Sequence, residues 1–326
     1  MTGRLNLVAP ELRAALEFFP AIDFSAGIEP YRGNIFGAER PPLPPELLAV
    51  GYEERMIAGH PGDPDVRILI YTPPGSATGL RPAVLDIHGG GFVIGNADMG
   101  DAGNRALSLQ LGCVIVSVDY RLAPETVWPG ALHDCYAALT WLHDNAATLG
   151  VDTARIAIAG GSAGGGHAAA LAIHARDQAK KDKGAPAICF QLLDFPMLDD
   201  RTCSSADPHP YCGDFGWTPE MNRFGWRSLL GTEPGGPDVP EAAAPARTRD
   251  LAGLPPAYIM VGALDLFLEE DLEYARRLMR VGVPVELHVI PGAYHGFGLA
   301  QDAPQTKQAI RWRVDALARA LGVTVA

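Results

Sequence analysis

The sequence has no long hydrophobic run and few basic residues. Among its 326 residues, 38 Asp and Glu outnumber 26 Lys and Arg, which gives a formal net charge of −12. Such a surface repels phosphate backbones and anionic headgroups, so nucleic acids and membranes are excluded as partners. There is no stretch of about 18 apolar residues for a membrane span, and the first residues lack a basic-then-apolar signal pattern. We therefore expect a cytoplasmic protein whose partner is a small molecule.

Cysteine is also scarce. The five cysteines are an odd number and include no CxxC pair, which argues against a disulfide framework and against a zinc site. Cys203 and Cys212 would pair only in an oxidising setting. No cluster of histidines and carboxylates has the spacing of metal ligands along the chain. We therefore expect no metal, no cofactor and no effect of chelators.

Short β-type runs alternate with helical runs, which indicates an α/β fold: a mostly parallel sheet with helices on both faces. An antiparallel edge strand is predicted at 53–59, followed by strands at 67–72, 82–88, 113–119, 155–160, 187–193, 257–263 and 285–290. Apolar residues at three- and four-residue spacing predict helices at 131–146, 163–180, 268–281 and 304–321. Two regions, 1–50 and 197–250, break this rhythm. We interpret them as a cap on a core formed by 51–196 and 251–326.

A glycine-rich stretch, IAIAGGSAGGGHAAALAIHA at 156–175, joins a predicted strand to a predicted helix. A phosphate-binding loop is excluded, because Gly166 is followed by His167 and not by Lys-Ser or Lys-Thr. A dinucleotide fingerprint on Gly164, Gly166 and Ala169 starts too late, because its first glycine belongs in the turn that ends the strand. Neither kind of nucleotide site explains the serine in this stretch.

Residues 160–164, Gly-Gly-Ser-Ala-Gly, match the GxSxG pattern of a nucleophile elbow. A serine in so sharp a turn has a strained backbone, and small neighbours let the strand and the helix close upon it. The turn exposes the hydroxyl of Ser162 at the carboxyl ends of the strands, where a helix N-terminus favours developing negative charge. Upstream, HGGG at 88–91 follows another predicted strand, so the predicted oxyanion donors are the N–H groups of Gly90, Gly91 and Ala163.

A serine hydroxyl attacks an acyl group only when a base takes its proton and an acid holds that base. In the chain order serine, acid, histidine that elbow enzymes follow, only His288 and His295 lie late enough. His288 falls inside a predicted strand, whereas His295 follows the last strand on a glycine-flanked loop, so His295 is the predicted base. Asp265 on the loop after the preceding strand is the predicted acid, because the acidic run 269–271 suits a helix start.

With HGGG, GxSAGG, a D-x-L loop and a late HGF in this order, the chain resembles the hormone-sensitive-lipase-like carboxylesterases of the α/β-hydrolase fold. DYRLAPE (119–125) and WPGALHD (128–134) are similar to that family's connecting segments, and other details resemble bacterial heroin-esterase-type acetylesterases. The resemblance implies the fold, the triad, and a helical cap built from the N-terminal segment and the insertion. Two features depart from it: Gly161 stands where the family often has an acidic residue or Thr, and the loop after Asp265 lacks a usual proline and arginine.

The resemblance implies a serine carboxylesterase that hydrolyses short acyl esters, acetyl to about hexanoyl, through an acyl-enzyme intermediate. An amidase or deacetylase with the same triad stays open as an alternative, as does a non-catalytic receptor on the same fold, although such receptors tend to lose the histidine. Aromatic side chains are expected to wall an apolar substrate pocket: Phe19, Phe24, Phe92, Tyr211, Phe215 and Trp217. Relatives often pair through the last strand and the last helix, and VELHVI is an apolar edge strand, so we expect a homodimer.

Overall fold

A computed structural model describes residues 4–19, 22–24, 27–32, 42–75 and 79–325, with only the backbone described for Cys203. Its centre is a sheet in the order β1-β2-β4-β3-β5-β6-β7-β8, in which β2 runs antiparallel to both neighbours and the other pairs are parallel. This confirms the predicted eight-stranded, mostly parallel sheet with an antiparallel edge strand. The strands are β1 (Gly51–Ile57), β2 (Val66–Thr72), β3 (Arg81–Ile87), β4 (Val114–Asp119), β5 (Val151–Gly161), β6 (Phe190–Asp194), β7 (Ala257–Gly262) and β8 (Val285–Ile290).

Helices cover both faces of the sheet, as predicted. Leu139, Leu171 and Leu278 pack in an apolar cluster on one face, and Leu111 and Leu317 pack in the cluster on the other. No helix among the described residues is both long and apolar enough to cross a membrane. The α-helices of the described residues are α1 (Pro10–Arg13), α2 (Pro45–Leu48), α3 (Asp101–Leu111), α4 (Gly130–Asp144), α5 (Ala146–Leu149), α6 (Ala163–Lys181), α7 (Pro219–Leu230), α8 (Leu268–Arg280) and α9 (Pro304–Leu321).

Two of the longer helices, α3 and α7, are absent from the predicted set. Helix α3 buries Asn104, Arg105 and Ser108 beside Leu111, so its apolar periodicity is weak. Helix α7 likewise buries polar residues and a glycine, but its ends follow ordinary capping rules. The Thr218 side chain accepts a hydrogen bond from a first-turn N–H, a proline follows it, and a glycine with φ of 67° ends the helix.

A third apolar cluster joins the N-terminal segment and the insertion to the segments that follow β3, β5, β6 and β7. In it, Phe24 stacks on Phe224 with ring centroids 4.7 Å apart, and Trp217 lies against Phe24 at 6.2 Å. These contacts lie at the carboxyl edge of the parallel strands. The division into cap and core stays a prediction, and its residues 1–3, 20–21, 25–26, 33–41, 76–78 and 326 lie outside the described residues.

Candidate active site

Ser162 lies in a tight turn between the end of β5 and the start of α6. Its backbone has φ of 57° and ψ of −125°, which is a strained conformation for a residue with a side chain. Gly160 and Gly164, two residues to either side, are glycines because a side chain does not fit there. A Cβ at Gly160 would stand 2.3 Å from the Gly164 carbonyl oxygen, and one at Gly164 would stand 2.1 Å from the Ile87 carbonyl oxygen. The Ser162 N–H donates to the Asp194 carbonyl at 2.9 Å, which ties the turn to β6.

The structure brings the three predicted triad residues into one hydrogen-bonded chain. Nε2 of His295 lies 2.9 Å from Oγ of Ser162, and Nδ1 of His295 lies 2.9 Å from Oδ2 of Asp265. All three residues are buried, with 8% of Ser162, 7% of His295 and none of Asp265 exposed. Because water is largely excluded, the carboxylate acts on the imidazole with little dielectric screening. A proton on Nδ1, facing Asp265, leaves Nε2 able to accept the serine proton.

The loop after β7 fixes the carboxylate of Asp265. The Phe267 N–H donates to its Oδ1 at 3.0 Å, which leaves Oδ2 for the imidazole. The next acidic residues lie in other surroundings: Glu269 is exposed, and Glu270 accepts a hydrogen bond from the Leu198 N–H at 2.6 Å. Burial raises the pKa of Glu270 well above its usual range. Among these acids, only Asp265 contacts the imidazole in the structure.

The HGGG segment follows β3 and lies beside the elbow. Gly90 and Gly91 have φ of +124° and +57°, and a Cβ at Gly91 would stand 2.1 Å from the Trp217 ring. No backbone carbonyl of the described residues accepts a hydrogen bond from the N–H of Gly90, Gly91 or Ala163. Free N–H groups next to a serine hydroxyl can receive the negative charge that develops on an attacked carbonyl.

Two other buried histidines lie close to this segment. The Tyr120 hydroxyl donates to the His88 carbonyl at 2.8 Å, and the two rings stack with centroids 4.1 Å apart. Burial lowers the pKa of His88, and burial lowers that of His167 to about 3. Both rings are therefore neutral at physiological pH and pack the oxyanion segment, without contact to Ser162.

A cavity of about 370 Å³ opens above Ser162 and His295. Its walls are almost entirely apolar, and Trp217 closes it on the side of Gly91. A larger and more polar cleft of about 630 Å³ lies beside the acid loop, but Ser162 does not line it. The apolar side chains of the smaller cavity are Phe19, Ile22, Ile94, Met99, Phe195, Trp217, Met221 and Leu299.

Of the six aromatic residues predicted to wall the pocket, Phe19 and Trp217 do so. The other four do not line this cavity. Phe24 and Phe92 are buried in the third apolar cluster, where Phe92 packs on Trp226 with centroids 5.0 Å apart. Phe215 packs against Tyr294, and Tyr211 is 53% exposed. Tertiary packing, and not residue type, determines which aromatic rings line the cavity.

Phe195 is a wall residue that the sequence patterns did not reveal. It follows β6, has φ of +38°, and places its ring edge-on to His295 with centroids 4.9 Å apart. The residue before it, Asp194, is 5% exposed and pairs with Arg313 of α9 at 2.7 Å. A Cβ at Gly161 would lie 3.8 Å from that of Asp194, so the acidic group near the elbow comes from β6. The sequence signal for Phe195 as a wall residue is its position just after the carboxyl end of a parallel strand.

Three potential metal ligands meet in the fold although the chain shows no metal-ligand spacing. His60, Asp63 and His133 place ligand atoms within 4.8 Å of one another. Spacing along the chain does not reveal this group, because His133 lies 70 residues beyond Asp63, the nearer of the other two. Cys212 is a buried free cysteine, and the side chain of Cys203 lies outside the described residues.

Fold and site together place the molecule among the α/β hydrolases. A family model described as alpha/beta hydrolase fold, Abhydrolase_3, matches residues 84–299. The chain belongs to this hormone-sensitive-lipase-like family, which confirms the resemblance in its motifs.

Several relatives match along nearly the whole chain. Esterase LipI of Mycobacterium tuberculosis is 36% identical, over 93% of this chain and 92% of its own length. Carboxylesterase NlhH of the same species is 36% identical, over 96% of each chain. Among solved structures, a bacterial heroin esterase superposes with a TM-score of 0.86 at 37% identity, over 97% of this chain and 99% of its own.

Proposed function

We propose that the chain hydrolyses carboxylic esters with short acyl groups through an acyl-enzyme intermediate. Its esterase relatives, at 36% identity over most of the chain, make it a carboxylic ester hydrolase. The observation that carries the finer proposal is the buried chain of hydrogen bonds from Ser162 through His295 to Asp265 beneath an apolar cavity.

The proposed reaction begins when Oγ of Ser162 attacks the ester carbonyl and Nε2 of His295 takes its proton. The carbonyl oxygen becomes an oxyanion, which the N–H groups of Gly90, Gly91 and Ala163 stabilise. The bond between the carbonyl carbon and the alcohol oxygen then breaks, and the imidazolium protonates that oxygen as the alcohol leaves. The acyl group stays bound to Oγ of Ser162. Water, deprotonated by the same imidazole, attacks this ester and releases the acid.

The size and polarity of the cavity support short, neutral substrates. At about 370 Å³ it lies near the lower end of the range of ligand cavities, about 300–1,000 Å³. Its apolar walls favour an uncharged acyl group and a bulky or aromatic alcohol. We expect acetyl to hexanoyl groups to lie within these walls beside the alcohol, and a sixteen-carbon chain to extend past them into solvent. The intact contact between Ser162 and His295 speaks against a non-catalytic receptor.

A series of p-nitrophenyl esters from acetate to palmitate tests this proposal. We expect kcat/KM to peak between acetate and hexanoate and to collapse by palmitate, with no jump when the substrate forms micelles. The matched amide, p-nitroacetanilide, serves as the control for an amidase and should react far more slowly than the acetate. A preference for long chains, activation at the micelle interface, or faster amide cleavage would contradict the proposal.

We further propose that two copies of the chain pair through β8 and α9. β8 is the edge of the sheet, and Val289 on it and Ile310 on α9 are exposed, which leaves an apolar edge open to association. Light scattering at micromolar concentration should give twice the 34.6 kDa chain mass. Val289→Arg should yield monomers, while Val127→Arg, at a similarly exposed site away from this edge, should not. A monomeric unmodified protein would rule the pairing out.

A further inference from the structure

Three potential metal ligands from distant parts of the chain meet at the turn between β1 and β2. His60 and Asp63 belong to this turn, and His133 lies in the first turn of α4. Nδ1 of His133 is 3.0 Å from Oδ2 of Asp63, and the rings of His60 and His133 stack with centroids 4.1 Å apart. Two imidazoles and one carboxylate thus face one another at a partly exposed position.

We propose that His60, Asp63 and His133 bind a divalent transition-metal ion, with zinc as the fitting probe. Two nitrogen donors and one oxygen donor suit zinc, whereas magnesium and calcium prefer all-oxygen sites. The three ligand atoms lie within 4.8 Å of one another. Zinc bonds of about 2.0–2.2 Å require these atoms to come closer together. His60 is exposed in a turn, so rotation of its side chain can close that distance, and a water completes the tetrahedron.

The charges around the cluster are compatible with a bound cation. Nη2 of Arg121 lies 3.1 Å from Oδ2 of Asp63 and forms an ion pair with it. Arg121 also bonds Asp134 at 2.8 Å, so its guanidinium keeps a carboxylate partner when Asp63 turns toward a metal. Histidine binds metal as the neutral imidazole, so affinity should fall in acid.

The cluster is separate from the proposed catalytic residues. β1 and β2 form one edge of the sheet, and β4 and β3 lie between them and β5, which leads to Ser162. A metal here would clasp the β1–β2 turn to the start of α4. We therefore expect it to raise thermal stability, because a ligand that binds only the folded state stabilises that state.

Calorimetric titration of the chelator-treated full-length protein with zinc chloride tests this site. We expect one zinc ion per chain, a rise in Tm, and no comparable heat with magnesium chloride. His60→Ala and His133→Ala should each weaken zinc binding by about tenfold or more, since loss of even an outer-sphere partner costs that much. His143→Ala is the matched control, because His143 lies on the same helix, is 29% exposed against 27% for His133, and also contacts an aspartate.

Hydrolysis of p-nitrophenyl acetate verifies that each variant is folded. His60→Ala is expected to keep the fold because the side chain of His60 is exposed. Two results would overturn the site. One is the absence of zinc binding by the unmodified protein, and the other is unchanged affinity in His60→Ala and His133→Ala, which would place the ion elsewhere.

Discussion

Replacing Ser162 with alanine is expected to lower kcat for p-nitrophenyl acetate by about 10⁴-fold or more, because members of a triad act as a unit. Among the described residues, the side chain of Ser162 hydrogen-bonds only with His295. Alanine has the same Cβ as serine, so the positive φ of this turn strains the two residues equally. The free energy of unfolding should therefore stay close to that of the unmodified protein. Steady-state kinetics and urea denaturation measure the two quantities.

An organophosphate provides an independent readout of the same residue. Mass spectrometry should place the adduct on Ser162 in the unmodified protein and find none in Ser162→Ala. Ser205→Ala, at an exposed serine of the insertion, is the matched control and should retain both turnover and labelling. An unfolded Ser162→Ala protein, or one with normal turnover, would remove Ser162 from its proposed role.

The sheet and the elbow could be predicted because their signals are local. Buried parallel strands appear as short apolar runs, and the strand predicted at 257–263 matches β7, Ala257–Gly262, in which every residue is buried. The elbow is one contiguous stretch, and Gly160 and Gly164 are required by atoms only a few residues away or on the neighbouring strand. Boundaries shifted where strands continue into turns, as when β5 begins at Val151 rather than 155.

The cavity walls could not be predicted because tertiary contacts select them. Met99 and Leu299 lie on segments after β3 and β8, and neither has a pattern that separates it from an ordinary surface residue. Phe92 is adjacent to the oxyanion glycines in sequence, yet its φ of +70° turns the ring into the third apolar cluster. The homodimer, the cytoplasmic location and the division into cap and core stay predictions.

Asp265→Asn is expected to lower kcat by about 10⁴-fold with little change in KM. An asparagine retains the shape of the side chain and an oxygen for the Phe267 N–H. Its amide N–H₂ group, however, donates to Nδ1 of His295 where the carboxylate accepts, so the imidazole proton moves to Nε2. In that tautomer the ring cannot take the proton of Ser162. Kinetics with p-nitrophenyl acetate measure the loss, and circular dichroism verifies the fold.

The neighbouring acids provide the control for this assignment. Glu269 lies in the first turn of α8, just after this loop, and is exposed. Glu269→Gln should therefore retain nearly all activity, and a larger loss there than in Asp265→Asn would show that the acid is misassigned. Asp271 cannot replace the lost charge. It is fully buried, neither carboxylate oxygen has a hydrogen-bond partner among the described residues, and burial raises its pKa well above the usual range. Burial thus disfavours a charge on Asp271, and no hydrogen bond of the described residues joins it to His295, so the full loss is expected in Asp265→Asn.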